Sequence, residues 1–203
     1  MTMTSEGPVS FGPYEVTKQV FLTTPLSFAL VNLKPLIPGH VLVCPRTAHE
    51  RLTDLSPGET ADLFATVQLT QRLLARTYFG DAGAAAKSKE PPSSSSGSSD
   101  EPARPAGSFT VAVQDGPEAG QTVPHVHVHV IPRTRDDLGE GAAGDDVYVR
   151  LAAEAGNVGG ALAVRTPEQM HDEAERYRAT LRDMGVEQGD RSAAGGSASI
   201  PSR

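Results

Sequence analysis

Hydrophobic and polar positions recur with two different periods along this chain, and the periods divide it into elements. Tyr14 to Leu22, Leu26 to Leu33 and His40 to Cys44 are short runs rich in Val, Leu and Phe, separated by Thr-Thr-Pro and Pro-Leu-Ile-Pro-Gly. Runs of that length bounded by turn formers predict three successive strands, close enough in sequence to pair antiparallel. At Ser56 the period changes. Ser56-Pro57-Gly58-Glu59 is a capping box with proline at the first helical position, and Leu63, Val67, Leu74 and Tyr78 then recur at helical spacings, so one face of a helix packs on the sheet. A second capping box, Thr166-Pro167-Glu168-Gln169, opens another helix with the apolar stripe Met170, Ala174, Tyr177, Leu181 and Met184, and Gly185 ends it. Ser108 to Val113 reads as a fourth strand and Pro124 to Pro132 as a fifth. The fold class that follows is α+β: five antiparallel strands, a helix between the third and fourth, and a helix at the end.

The fifth run carries the chemistry. In His125-Val126-His127-Val128-His129-Val130-Ile131 strict alternation points three imidazoles to one face and three valines to the core. A metal site is one reading of such a row. The outer two Cα atoms, however, stand roughly 13 Å apart at ~3.3 Å per residue, whereas a zinc ligand nitrogen lies within ~2.1 Å of the ion, so only a pair with a distant further ligand avoids strain. Phosphate chemistry is the other reading, because a neutral ring nitrogen can attack phosphorus while flanking donors hold the phosphoryl oxygens. The segment just upstream, Gln114 to Val123, has two amides, a hydroxyl and two glycines, groups suited to lining an anionic site. It favours the phosphate reading.

Composition narrows the picture further. The net charge is −7 with no basic cluster on any predicted element, which argues against a track for long nucleic acid. The single cysteine, Cys44, sits among apolar neighbours and reads as a core thiol in a reducing compartment. No apolar run is long enough for a membrane helix, and no leader is expected at the amino terminus. Residues 80–107 are rich in Ala, Ser and Pro and should form a disordered insertion on the surface. Residues 1–10 and 186–203 should be loose tails, leaving a domain over 11–185. The stretch 134–164 is acidic and Gly/Ala-rich, with Tyr148 its only aromatic, and no element is predicted in it; His49 and His171, among charged residues, read as solvated.

Together these stretches resemble a known family. The histidine row, Leu26 through Asn32, Pro38 through Pro45, Ala61 through Phe64 and Gln114 through Val123 are similar to the histidine triad (HIT) superfamily, and to its fragile histidine triad branch of dinucleoside triphosphate hydrolases. The resemblance implies a five-stranded antiparallel sheet with two helices, pairing as a homodimer with a continuous sheet. It implies hydrolysis of diadenosine triphosphate to AMP and ADP through a covalent AMP-histidine. His127 matches the nucleophile, His129 would stabilise charge on the departing nucleotide, and His125 and His40 would orient the row. Asn32 falls at the ribose position, although an Asn there could equally bond its own turn. Gln114, Gly120, Gln121, Thr122 and Val123 form the phosphate wall with His129, Tyr14 joins the substrate site, and adenine would lie against Phe11 and Leu30. The expected ion is a divalent cation, Mg or Mn, that accompanies the substrate and is not held by the protein. A cytoplasmic protein is expected, with the nucleus also open to it. Two alternatives stand beside this reading: a nucleoside phosphoramidase of the same superfamily, and a nucleotide-binding signalling protein whose substrate complex is the signal.

Overall fold

The computed structural model describes residues 7–79, 107–156 and 163–186. Five strands make one antiparallel sheet: β3 (Val20–Thr23), β4 (Ser27–Val31), β5 (Val41–Pro45), β6 (Ser108–Val113) and β7 (Val128–Arg133), in the spatial order β3-β4-β5-β7-β6. All five residues of both β4 and β5 are buried. Such strands read as continuous apolar runs because both faces of the sheet are covered.

One face takes two helices, α1 (Pro57–Tyr78) and α3 (Pro167–Asp183), each started by the capping box expected for it. Ala29, Val31, Val41, Val43, Val128 and Val130 of the sheet meet Leu63, Val67 and Leu74 of α1 and Ala174, Tyr177 and Leu181 of α3 in a single core. Truncating a leucine as buried as Leu63 or Leu74 to alanine costs roughly 2–5 kcal/mol. The other face carries Phe28, Leu30, Leu42 and Cys44, which pack against Phe11, Val16 and Val20.

Phe11 and Val16 belong to a feature that strand periodicity did not predict. The run expected as one strand from Tyr14 to Leu22 is broken into β2 (Tyr14–Glu15), a 3-10 turn at Thr17–Gln19 and β3, and β2 pairs with β1 (Ser10–Phe11) in a separate hairpin. Gly12, at φ +54°, makes the turn. Ser10 is thus ordered structure inside what reads as a loose tail; residues 1–6, 80–106 and 187–203, where the tails and the insertion were expected, lie outside the described residues. Phe79 and Gly107, the described residues on either side of 80–106, are in contact.

A third helix, α2 (Asp146–Gly156), occupies part of the stretch expected to be loop, so the described residues hold three α-helices and not two. Val147 and Leu151, four residues apart, are buried against Leu36, Ile37, Ile131 and Leu138. That i, i+4 pair and the alanines after it were the missed signal, outweighed by the glycines before it.

Candidate active site

β7 lies between β5 and β6, and its register sets the site. Leu42 stands opposite His129 and also opposite Leu30, so these three side chains share the face turned away from α1, while Val128 and Val130 join the helical core. The two-faced row was legible; its backbone was not. Ladder pairing begins at Val128, and upstream of it Val126 N–H donates to His49 O at 2.7 Å. His125 and His127 therefore sit on an extended approach to the strand. His49 is not solvated as expected: its Nε2 lies 2.9 Å from Glu59 Oε1, tying the approach segment to the α1 cap. His171 is exposed, as expected.

All three rings are buried, and their hydrogen bonds assign each a different task. His125 has no free nitrogen, because Nε2–H donates to Pro45 O at 2.8 Å and Nδ1 accepts Gly12 N–H at 3.0 Å. It pins the hairpin to the end of β5. His127 uses one nitrogen: Nδ1–H donates to His125 O at 2.8 Å, and since a carbonyl can only accept, the neutral ring carries its lone pair at Nε2. His129 is coupled to His40. Leu36 N–H donates to His40 Nδ1 at 3.2 Å, so His40 carries hydrogen at Nε2 and donates it to His129 Nδ1 at 2.9 Å. The hydrogen of His129 is left at Nε2, which is buried without a partner among the described residues. A buried donor held in this way is poised for an acceptor that arrives with a ligand.

Burial also keeps these rings uncharged. It lowers His125, His127 and His129 below the ordinary imidazole value, and it takes His40 to about 3, with help from the charge of Arg165. A neutral His127 is the state a nucleophile needs.

His127 and His129 open into a cavity of about 480 Å³, a size suited to a nucleotide-like ligand. Phe11, Val16, Leu30, Leu42 and Val123 form its apolar side, and Asn32, Lys34, Gln114 and Thr122 add polar groups. Tyr14 also lines it and is largely exposed. Asn32 Oδ1 accepts Lys34 N–H at 3.0 Å in its own turn, and the residue also lines the cavity. His40 and His125 do not line the cavity. Gly120 and Gln121 are outside it as well, since Gln121 Nε2 donates to Glu50 O at 3.0 Å and the two residues border a shallower hollow beside Pro117. Their loop is held by Arg51, whose Nη1 donates to Asp115 O at 2.6 Å, and by Leu52 N–H on Asp115 Oδ1 at 2.8 Å. A Cβ on Gly116 (φ +108°) would lie 1.7 Å from Arg51 Nη1, so this glycine makes room for Arg51.

Lys34 and Leu42 are lining residues that sequence reasoning missed. Lys34, two residues after Asn32, could have been found from that spacing; Leu42 could not without the register. Cys44 is fully buried and its thiol is pushed well above the ordinary range, as suits a core residue. Among the described residues no group of three His, Cys, Asp or Glu is arranged to hold a metal ion, and no helix is long and apolar enough to cross a membrane.

A five-stranded α+β sheet that admits three alternating histidines beside an apolar slot and a glycine loop is the fold and site of the histidine triad class. The chain belongs to the HIT domain family, whose profile matches residues 14–136. It is 39% identical over 176 residues to the bifunctional bis(5'-adenosyl)-triphosphatase/adenylylsulfatase FHIT of Arabidopsis thaliana, a match covering 83% of this chain and 82% of that protein. It is 40% identical over 148 residues to the asymmetrical bis(5'-nucleosyl)-tetraphosphatase of Schizosaccharomyces pombe, covering 73% of this chain and 65% of the yeast protein, slightly under two thirds of its length. Among solved structures it resembles the Plasmodium falciparum diadenosine triphosphate hydrolase in complex with cyclomarin A (TM-score 0.61, 26% identity, 89% of this chain and 88% of that one). It also resembles the C. elegans NitFhit protein (TM-score 0.59, 32% identity, 87% of this chain), of which the match covers 31%.

Proposed function

We propose that this protein hydrolyses dinucleoside polyphosphates, diadenosine triphosphate to AMP and ADP, through a covalent AMP on His127. The observation that carries this reading is the His127 Nδ1–H bond to His125 O, which leaves Nε2 with a lone pair at the edge of the cavity. Adenine would enter the slot between Phe11 and Leu30, with the ribose near Asn32 and the phosphates near Gln114, Thr122 and Lys34. Nε2 attacks the α-phosphorus, a phosphorus–nitrogen bond forms, the bond to the bridging oxygen breaks, and ADP departs. His129 Nε2–H is the donor available to the departing oxygen, and charge stabilisation of this kind is worth about 10²–10³ in rate. Water then attacks the phosphorus, the phosphorus–nitrogen bond breaks, and AMP leaves with the proton balance made up by the water. Gln121 Nε2 gives one hydrogen to Glu50 O and keeps a second for an acceptor.

The divalent ion, Mg or Mn, would travel with the substrate's phosphates. A homodimer with a continuous sheet is supported by β6, an edge strand among the described residues, on which Val111 is 39% exposed. The deciding assay separates products chromatographically from diadenosine tri- and tetraphosphate and adenosine phosphoramidate, with adenine-labelled substrate used for trapping. AMP and ADP from the triphosphate, with acid-labile label on the wild-type chain and none on His127→Asn, are expected. Faster turnover of the phosphoramidate, or zinc at one per chain with no trapped label, would overturn the reading.

A further inference from the structure

One short segment, His49 to Leu52, ties down the loop that carries the phosphate wall, and none of its residues lines the cavity. His49 O accepts Val126 N–H at 2.7 Å, and Glu50 O accepts from Gln121 Nε2 at 3.0 Å. Arg51 Nη1 donates to Asp115 O at 2.6 Å, and Leu52 N–H donates to Asp115 Oδ1 at 2.8 Å. The segment is itself anchored, because Arg51 N–H donates to Asp54 Oδ2 at 3.1 Å and His49 Nε2 meets Glu59 Oε1 in the first turn of α1. Consecutive residues thus grip the stretch from Asp115 to Val126 at its start, its middle and its end. The Arg51 guanidinium lies over Gly116, where any side chain would displace it.

Stability is a poor account of these ties. The Arg51 side chain is 45% exposed, and its ion pair with Glu118, at 4.0 Å, is of the surface kind that contributes little. What the ties do fix is position. β6 ends at Val113, opposite Val128 of β7, so Gln114 and His127 leave the ladder side by side. Gln114 lines the cavity, and the residue after it, Asp115, is the one held twice. At the far end of the loop Thr122 lines the cavity beside the tie from Gln121 to Glu50. We propose that Arg51 and Asp115 are positioning residues, which lock Gln114 and Thr122 into a wall ready for phosphate while touching no substrate themselves. Donors fixed before the ligand arrives cost no reorganisation when charge develops on it, and misplacing such a group by about 1 Å costs up to about 10²-fold.

Because the assignment rests on the cavity being a nucleotide site, the test reads binding apart from turnover. NMR titration of the full chain compares ADP with adenosine, which enters the same apolar slot and brings no phosphate. Arg51→Met and Asp115→Ala each cut one of the two ties to Asp115. Each should weaken ADP about tenfold, the worth of one hydrogen bond to a charged group, and leave adenosine binding unchanged. kcat/KM for diadenosine triphosphate should fall by about ten- to a hundredfold, with melting temperature nearly kept. Asp115→Asn keeps an acceptor for Leu52 N–H and should recover most of the ADP affinity lost in Asp115→Ala. Equal losses for ADP and adenosine would mean general loosening and would overturn the proposal, as would an unchanged ratio of the two in both variants. Failure of both variants to fold would show that the ties hold up the fold and would overturn it as well. A wild-type chain that binds neither ligand would sink the nucleotide reading and this assignment together. One that binds ADP but turns over no dinucleotide would sink the hydrolytic reading alone, and the binding ratio would still decide this one.

Discussion

His125 and His129 stand at opposite ends of one row, identical in residue type and four positions apart, yet the fold uses them in opposite ways. His125 spends both nitrogens on backbone groups of the hairpin and of β5, whereas His129 spends one on His40 and holds a hydrogen at the other with no acceptor among the described residues. His127, between them, spends one nitrogen and keeps one lone pair. Along the row two nitrogens are committed at His125 and one at each of His127 and His129. The lesson is that a repeated side chain is not a repeated function: hydrogen-bond partners decide which ring is scaffold and which is reagent.

The comparison breaks most sharply at the centre of the row. His127→Asn removes the lone pair while keeping a donor for His125 O, so turnover should fall by about four orders of magnitude or more with substrate binding and melting temperature nearly kept. Single-turnover kinetics beside equilibrium binding would measure this; substantial turnover in the purified variant is incompatible with the mechanism.

His125→Ala should show the converse pattern. Two buried hydrogen bonds and a buried ring are lost, leaving Gly12 N–H unpaired, and urea unfolding should report destabilisation of about 3 kcal/mol. A stability equal to wild type would show that the hairpin is held without it.

Acid should weaken the fold through the buried rings. His40 has a folded value of about 3 against an ordinary 6.5, so as pH falls the unfolded chain takes up protons first. The stability contributed by neutral burial is complete above about pH 6.5 and is lost progressively toward pH 3, with about 2 kcal/mol gone at pH 5 from His40 alone. His127 and His129, also lowered, act in the same direction. Denaturant midpoints that stay level between pH 7 and pH 5 would contradict this.

The smallest effect is expected far from the row. Phe79 and Gly107 touch, and the Phe79 and Phe109 rings are 5.3 Å apart, so a short Gly/Ser link can replace residues 82–105 without moving β6 or α1. Each doubling of a flexible loop costs only about 0.6 kcal/mol, and melting temperature and turnover should stay close to wild type. Loss of both would show that those residues hold an element in place.

Much of this protein could be read from local pattern. Both capping boxes, the order of the main strands, the burial of Cys44 and the assignment of histidines and valines to opposite faces depend on residues within a few positions of one another, where periodicity and cap chemistry act directly. What the sequence did not disclose depends on partners far along the chain. Gly12 meets His125 across 113 positions, His40 meets His129 across 89, and Arg165 reaches back to Leu33. Gln121 turns to Glu50, and His49 is enlisted by Glu59. By itself the sequence determined that three imidazoles would alternate with core valines along one extended segment. Only the tertiary structure decided which nitrogen of each would be free, because that depends on backbone groups brought up from the hairpin, β5 and the 33–40 segment, and hydrogen bonds between distant residues leave no periodic trace in a sequence.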